Sequence, residues 1–266
     1  MLGKLMKYDF KAIFKYFIPL SIFIFVYSCF GTLLFNVKTG FVAKGTLINT
    51  LIVLLLITYV ISIIGYNLMI QGIIVVNFYK SMVTDTGYLT HTLPVKKSDL
   101  LLSKLLTGVI TLICSYVVLI VCATIMLDIP TNLIEYRHDI AAALHLSSKL
   151  INLSAIIKLI VNLIFTAIVG SIFSLCLYFV SIALGQLINR HKIVGSLLSF
   201  FGLSILLQIF SSIASVFFNE FAYMSDSTVI KFITPINTVF CLILLLLSAL
   251  FMFITHFIFT RKLNLD

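Results

Sequence analysis

Between Lys44 and Lys80 the chain runs for 35 residues without a formal charge. Wound as a helix at 1.5 Å per residue, that stretch reaches about 52 Å, well beyond a hydrocarbon core of about 30 Å. Runs of roughly 18 or more apolar residues without charge indicate transmembrane helices. Six apolar runs of this length are present, at about 17–36, 47–76, 102–127, 157–188, 193–218 and 236–259, the third and fourth each with one lysine near its start. Composition agrees: 10% of the 266 residues are charged and 61% are hydrophobic, where soluble domains carry about 25% charged residues. The expected fold is an all-α polytopic membrane helix bundle, 1–266 as a single transmembrane domain with no soluble catalytic domain. The fourth run exceeds the ~20 residues needed to cross, which requires tilt or an interfacial portion. In the fifth, Gly195, Ser199 and Gly202 suit close helix packing. Pro19 and Pro235 are placed near span starts, where a missing N–H is tolerated.

The placement of Lys and Arg sets the orientation. With the N-terminus inside, twelve of the eighteen basic residues are cytoplasmic: Lys4, Lys7, Lys11, Lys15, Lys80, Lys96, Lys97, Lys104, Arg190, Lys192, Arg261 and Lys262. Lys38, Lys44, Arg137, Lys149 and Lys231 lie outside, balanced there by five acids, and Lys158 falls within a span. Both termini are then cytoplasmic. The net charge of +9 reflects topology and is no nucleic-acid footprint.

The N-terminus has a basic start followed by apolar residues, but its apolar region is too long for a signal peptide and lacks an A-x-A cleavage site. It reads as an uncleaved first span. Ahead of it, residues 2–15, "LGKLMKYDFKAIFK", read as a separate short amphipathic helix on the anionic inner leaflet. Leu5, Met6, Phe10, Ile13 and Phe14 recur at helical spacing, and Lys4, Lys7, Lys11 and Lys15 fill much of the rest. The plainer alternative is a positive flank for the first span.

Between the second and third runs lie two dozen polar, turn-rich residues, "NFYKSMVTDTGYLTHTLPVKKSDL" (77–100). "TDTG" and "LPVKKSD" are turn-prone, and Ser98 or Asp99 suits the cap of the third span. Between the breaks sits a short segment that displays Tyr88, Leu89, His91 and Leu93, a cytoplasmic foot on two long helices. Apolar and aromatic side chains beyond the membrane suit a protein partner. The alternative is a polar connector.

The stretch "YKSMVTDTGYLTHTLPVKKSDLLLSK" resembles the loop between spans two and three of ABC-2 type permeases, the membrane subunits of one class of bacterial ATP-binding-cassette exporters. The shared pattern rests on Lys80, Asp85, Gly87, Thr90, Thr92, Leu93, Pro94, Val95 and Lys104. About 25 residues match in detail, and the six-span layout and N-terminal amphipathic helix match loosely. The resemblance implies that the loop holds a coupling helix which docks on the ATP-binding subunit. Lys80, Asp85, Gly87, Tyr88, Leu89, Thr90, His91, Thr92, Leu93 and Pro94 would then form the ATPase-binding site. It further implies two permease chains, the second expected to be identical, and two ATPase chains that bind ATP and Mg, in the bacterial cell membrane. Small permeases of this kind resemble exporters of amphipathic peptide toxins and lantibiotic-immunity permeases.

No G-x-x-x-x-G-K-[ST] phosphate loop occurs in the chain, so ATP binding of that kind belongs on another polypeptide. No H-E-x-x-H is present, and no catalytic or metal-ligating set is assigned. His138 and His145, near Glu135 and Asp139, are the nearest approach to a metal site, and solvated outer loops often carry such residues. The five cysteines lie in apolar runs without a C-x-x-C pair and read as small buried hydrophobes.

The spans hold no Asp, Glu or Arg. With Lys104 assigned to the cytoplasmic edge, Lys158 is the candidate intramembrane charge, either snorkelling outward or lining an exit path. Outside, Ile140, Leu144, Ser148 and Ile151 fall on one stripe of a possible interfacial helix. Glu220 and Asp226 lie among Phe221 and Tyr223, so Lys158, Glu220, Phe221 and Tyr223 form a candidate outer gate or path, as against solvated connections.

The resulting expectation is the permease subunit of an ATP-driven exporter of amphipathic or hydrophobic peptides, itself without enzymatic activity. The competing classes are an ion-coupled secondary transporter or channel, and a non-transporting membrane protein of immunity or sensing.

Overall fold

The computed structural model describes residues 2–40, 46–84, 97–126, 153–188, 192–223 and 229–261. They form α1 (Leu2–Gly40), α2 (Thr46–Met82), α3 (Lys97–Met126), α4 (Leu153–Gly185), α5 (Lys192–Tyr223) and α6 (Val229–Arg261). The described chain is all-helical, and six helices among its residues are long and apolar enough to cross a membrane. Four of the six apolar runs fall wholly within one helix, and the runs 102–127 and 157–188 extend one and three residues past the ends of α3 and α4. In lipid the backbone has no water to bond, so long uninterrupted helices are the arrangement these runs require.

Side-chain hydroxyls in these helices are satisfied locally. Ser103 donates to the Leu100 carbonyl at 2.8 Å, Ser115 to Leu112 at 2.7 Å, Ser171 to Ile168 at 2.7 Å and Ser181 to Leu177 at 2.6 Å. Such back-bonding lets a hydroxyl-rich helix stay in an apolar medium without orphaned donors.

The chain divides into two compact units. The first comprises Met1–Met6, Val75–Val109 and Leu153–Asp266. Its centre is α4, against which α5 and α6 pack. Buried Cys176, Leu177 and Val180 of α4 meet Phe251 of α6, with Phe200 and Leu203 of α5 against the same cluster. Near the other end of α4, Asn237 of α6 donates to Asn162 and, at 2.7 Å, to Thr166. An amide that bridges two helices in this way is a polar clamp, worth more in lipid than a van der Waals contact there.

After Gly185, α4 closes in a tight turn, with Leu187 N donating to Leu184 O at 3.1 Å and Ile188 N to Gly185 O at 3.2 Å. A Cβ on Gly185 would fall on the Ser196 backbone, and one on Gly195 would come within 3.0 Å of the Gly185 carbonyl. The α4–α5 hairpin is therefore closed by two glycines. Gly195 packs closely as expected, but a Cβ on Gly202 would meet nothing within 4 Å. Both glycines lie on the same helix, but only Gly195 has a neighbouring backbone.

The second unit comprises Lys7–Ile74 and Ile110–Asn152. Here α1 and α2 are joined by hydroxyls. Fully buried Ser28 donates to the Cys122 carbonyl of α3 at 3.1 Å, which leaves the Tyr59 hydroxyl to donate to Ser28, also at 3.1 Å. Tyr27 and Thr58 pair at 2.7 Å, Ser21 and Tyr66 at 3.0 Å, and the Tyr27 and Tyr59 rings stack at 6.0 Å. An open-sided hollow of about 240 Å³ lies against Phe23, Ile24, Gly65 and Met69.

Three sequence readings change. Residues 2–15 are the first turns of α1 rather than a separate element, because nothing between Lys15 and Ile18 breaks the helix. Pro19 consequently lies inside α1, and Pro235 inside α6, rather than at helix starts. Lys104, assigned to the cytoplasmic edge, is only 8% exposed, and so is Asp9 of the 2–15 stretch. Asp9 belongs to the buried stripe of α1 that continues through Ile13 and Phe17 at four-residue intervals.

Candidate functional site

The residues on either side of segment 85–96 form the site described in most detail, and they lie in the first unit. At the end of α2, Phe78 and Met82 are buried while Lys80 is exposed. The helix is finished by Val83 N donating to Tyr79 O at 2.9 Å and by the Thr84 hydroxyl donating to Lys80 O at 2.6 Å. At the other flank, α3 begins at Lys97. Ser98 and Asp99 thus fall inside its first turn instead of capping it, and the Asp99 carboxylate acts there on the positive end of the helix dipole.

Three enclosed phenylalanines sit at this end. Phe78 stacks on Phe179 of α4 with ring centroids 3.8 Å apart and planes 9° apart. It meets the edge of Phe259 of α6 at 6.1 Å and 81°. Their exposures are 1%, 0% and 1%, so no solvent or lipid reaches between them. An edge-to-face pair such as Phe78–Phe259 contributes about 0.5–1.5 kcal/mol beyond the area it buries. The Lys97 ammonium donates to the Phe259 carbonyl at 3.0 Å. Carbonyls in the last turn of a helix lack an intrahelical donor and carry the negative end of the dipole, so a lysine is a fitting partner. Nothing in the sequence signals this arrangement, since the three rings are 80 or more residues apart.

Among the predicted site residues, Lys80 is thus exposed in the last turn of α2. Asp85, Gly87, Tyr88, Leu89, Thr90, His91, Thr92, Leu93 and Pro94 lie outside the described residues, as do Ile140, Leu144, Ser148, Ile151, His138 and His145. Lys4, Lys7, Lys11 and Lys15 are all exposed along α1, with Lys15 Nζ 6.0 Å from the centre of the Tyr16 ring. Lys158 belongs to α4, and Glu220, Phe221 and Tyr223 to the last turn of α5. The side chains of that candidate outer gate lie outside the described ones. The sequence reading passed over Asp9 and did not foresee the burial of Lys104, because both stand next to charge-rich ends.

Cys122, Cys176 and Cys241 are buried, Cys29 and Cys114 half-buried, and all five are free thiols. Among the described residues, no group of three or more His, Cys, Asp or Glu stands together as a metal-ion site would require. No family model, no curated protein and no solved structure matches this chain.

Proposed function

We propose that this chain is the membrane-spanning subunit of an ATP-driven exporter of the ABC-2 type, moving amphipathic or hydrophobic peptides. The observation that carries the reading is the 80–104 stretch, whose residue pattern resembles the coupling loop of those permeases. Two features support it. Long helices, α2 and α3, flank the stretch without a break up to Met82 and from Lys97. Both flanks are anchored by enclosed aromatic packing and a charge-assisted hydrogen bond, as a segment that transmits force requires. On this reading 85–96 faces the cytoplasm and docks on an ATPase subunit, with both termini on that side. ATP and Mg reside on the partner, two ATPase chains serve two copies of this chain, and the membrane is the bacterial plasma membrane. The peptide enters laterally or from the inner leaflet, along surfaces that offer Phe, Tyr, Ser and Asn in place of fixed charge.

The test is Leu93→Asp, which places a carboxylate on the proposed docking face. Reconstituted with its ATPase, that variant should keep its fold and lose stimulation of ATP hydrolysis. Wild-type stimulation would reject the docking role.

A second reading, ion-coupled transport, is favoured by the burial of Asp9 and Lys104 within long apolar helices. Intramembrane ionisable residues mark ion and proton paths in many transporters. Uptake or efflux that follows an imposed proton gradient without ATP, and is lost in Asp9→Asn, would move the assignment to that class.

A further inference from the structure

Phe259 meets both flanks of segment 85–96. Its ring stands edge-on to Phe78, four residues before the end of α2, and its carbonyl accepts the Lys97 ammonium at the first residue of α3. Ring and carbonyl thus engage two different helices from one position near the end of α6. Phe78 is in turn stacked on Phe179 of α4. All three rings are enclosed, and close-packed interiors do not deform smoothly: a shift of one ring is followed by its neighbours or opens a void. The α4 helix packs on both α5 and α6, so it passes such a shift on.

We infer that Phe259 is a positioning residue for the two flanks of segment 85–96: it ties the end of α2 and the start of α3 to α6, and through Phe78 to α4. A shift of either flank is therefore delivered to α6, and one of the α2 flank to α4 as well, and is not confined to α2 and α3. The consequence for transport, which rests on the exporter reading, is that α6 belongs to the ATP-driven moving body.

Two measurements test this on the full chain. The first is amide hydrogen exchange of the purified protein in nanodiscs, comparing wild type with Phe259→Leu, Lys97→Met and Lys97→Arg. Phe253→Leu serves as the control, since Phe253 lies on the same helix and is 71% exposed. Phe259→Leu should speed exchange at 79–84, where the ring packs on Phe78, and leave 97–101 close to wild type, because it keeps the backbone carbonyl that holds Lys97. Lys97→Met should do so at 97–101 and in the last turn of α6, while Lys97→Arg, which keeps a cationic donor, and Phe253→Leu should resemble wild type. If Phe259→Leu misfolds, Lys97→Met decides, because it removes an exposed side chain rather than a packed ring. Unchanged exchange in Lys97→Met, or changes confined to α6, would overturn the inference.

The second is ATP hydrolysis by the complex with the co-purified ATPase. Phe259→Leu and Lys97→Met should retain the bound ATPase but lower its turnover by on the order of tenfold, the scale of coupling changes along such contact chains. Retained ATPase with wild-type turnover in both variants would overturn the coupling role. Failure of the wild-type chain to retain any ATPase would strike the exporter reading instead, and the exchange data would then decide the positioning by themselves.

Discussion

Asn237 is the residue where the cost of one side chain is most directly readable. It donates to both Asn162 and Thr166 across the α4–α6 contact, and Cys241 Sγ lies 4.0 Å from the same Thr166 hydroxyl. Replacing it in Asn237→Leu removes both bonds and takes the donor from the Asn162 side-chain oxygen, while the Thr166 hydroxyl keeps its bond to the Asn162 carbonyl at 2.7 Å. Interhelical hydrogen bonds in membranes contribute about 0.6–2 kcal/mol. Asn237→Leu should therefore lower the midpoint of thermal unfolding in detergent, and Thr166→Val should do so by less. An unchanged midpoint in Asn237→Leu would show that the clamp carries no stability. Ser28 offers a parallel case in the second unit, where one hydroxyl links Tyr59 to the Cys122 carbonyl. Ser28→Ala removes both links while leaving an apolar methyl, and a loss of about 1 kcal/mol is expected.

At the scale of the element, the α4–α5 hairpin depends on backbone approach at Gly185. Gly185→Ala places a methyl on the Ser196 backbone, which has no flexible end to move aside, so the hairpin must open. Gly65→Ala is its counterpart: the new methyl meets nothing within 4 Å and gains roughly 1 kcal/mol of helix propensity. Gly185→Ala should yield little monodisperse protein by size-exclusion chromatography, whereas Gly65→Ala should match or exceed wild type. Equal yields would contradict the hairpin geometry. On α1, Lys7→Glu with Lys11→Glu reverses two exposed charges and should lower the amount of assembled protein in membranes rich in anionic lipid. An unchanged amount would remove the lysines from any membrane-surface role.

The helices themselves were legible in the sequence, because an apolar run of this length in lipid has one arrangement open to it. Their terminal detail was not. No residue between Lys15 and Ile18 announces whether a helix breaks there, and Gly195 and Gly202 look equivalent until a neighbouring backbone is seen beside one of them. The burial of Asp9 and Lys104 was hidden for a similar reason, since charge beside a span end reads as solvated whichever way the residue faces. The Phe78–Phe179–Phe259 stack was illegible altogether. Among 24 phenylalanines, three at long separation carry no periodic signal.

At the scale of the molecule, the described residues are all helical, and six helices among them are long and apolar enough to cross a membrane, the architecture of a multi-pass membrane protein. The claim that reaches furthest is that segment 85–96 docks on a separate ATPase. It is tested most directly by purifying the chain from its native cell in a gentle detergent and identifying what remains bound. An ATPase bearing a phosphate loop, present at one copy per chain and lost when residues 87–95 are replaced by a Gly/Ser linker, is the predicted result. A chain that emerges without an ATPase across several detergents, or one whose ATPase stays bound after that replacement, would contradict it.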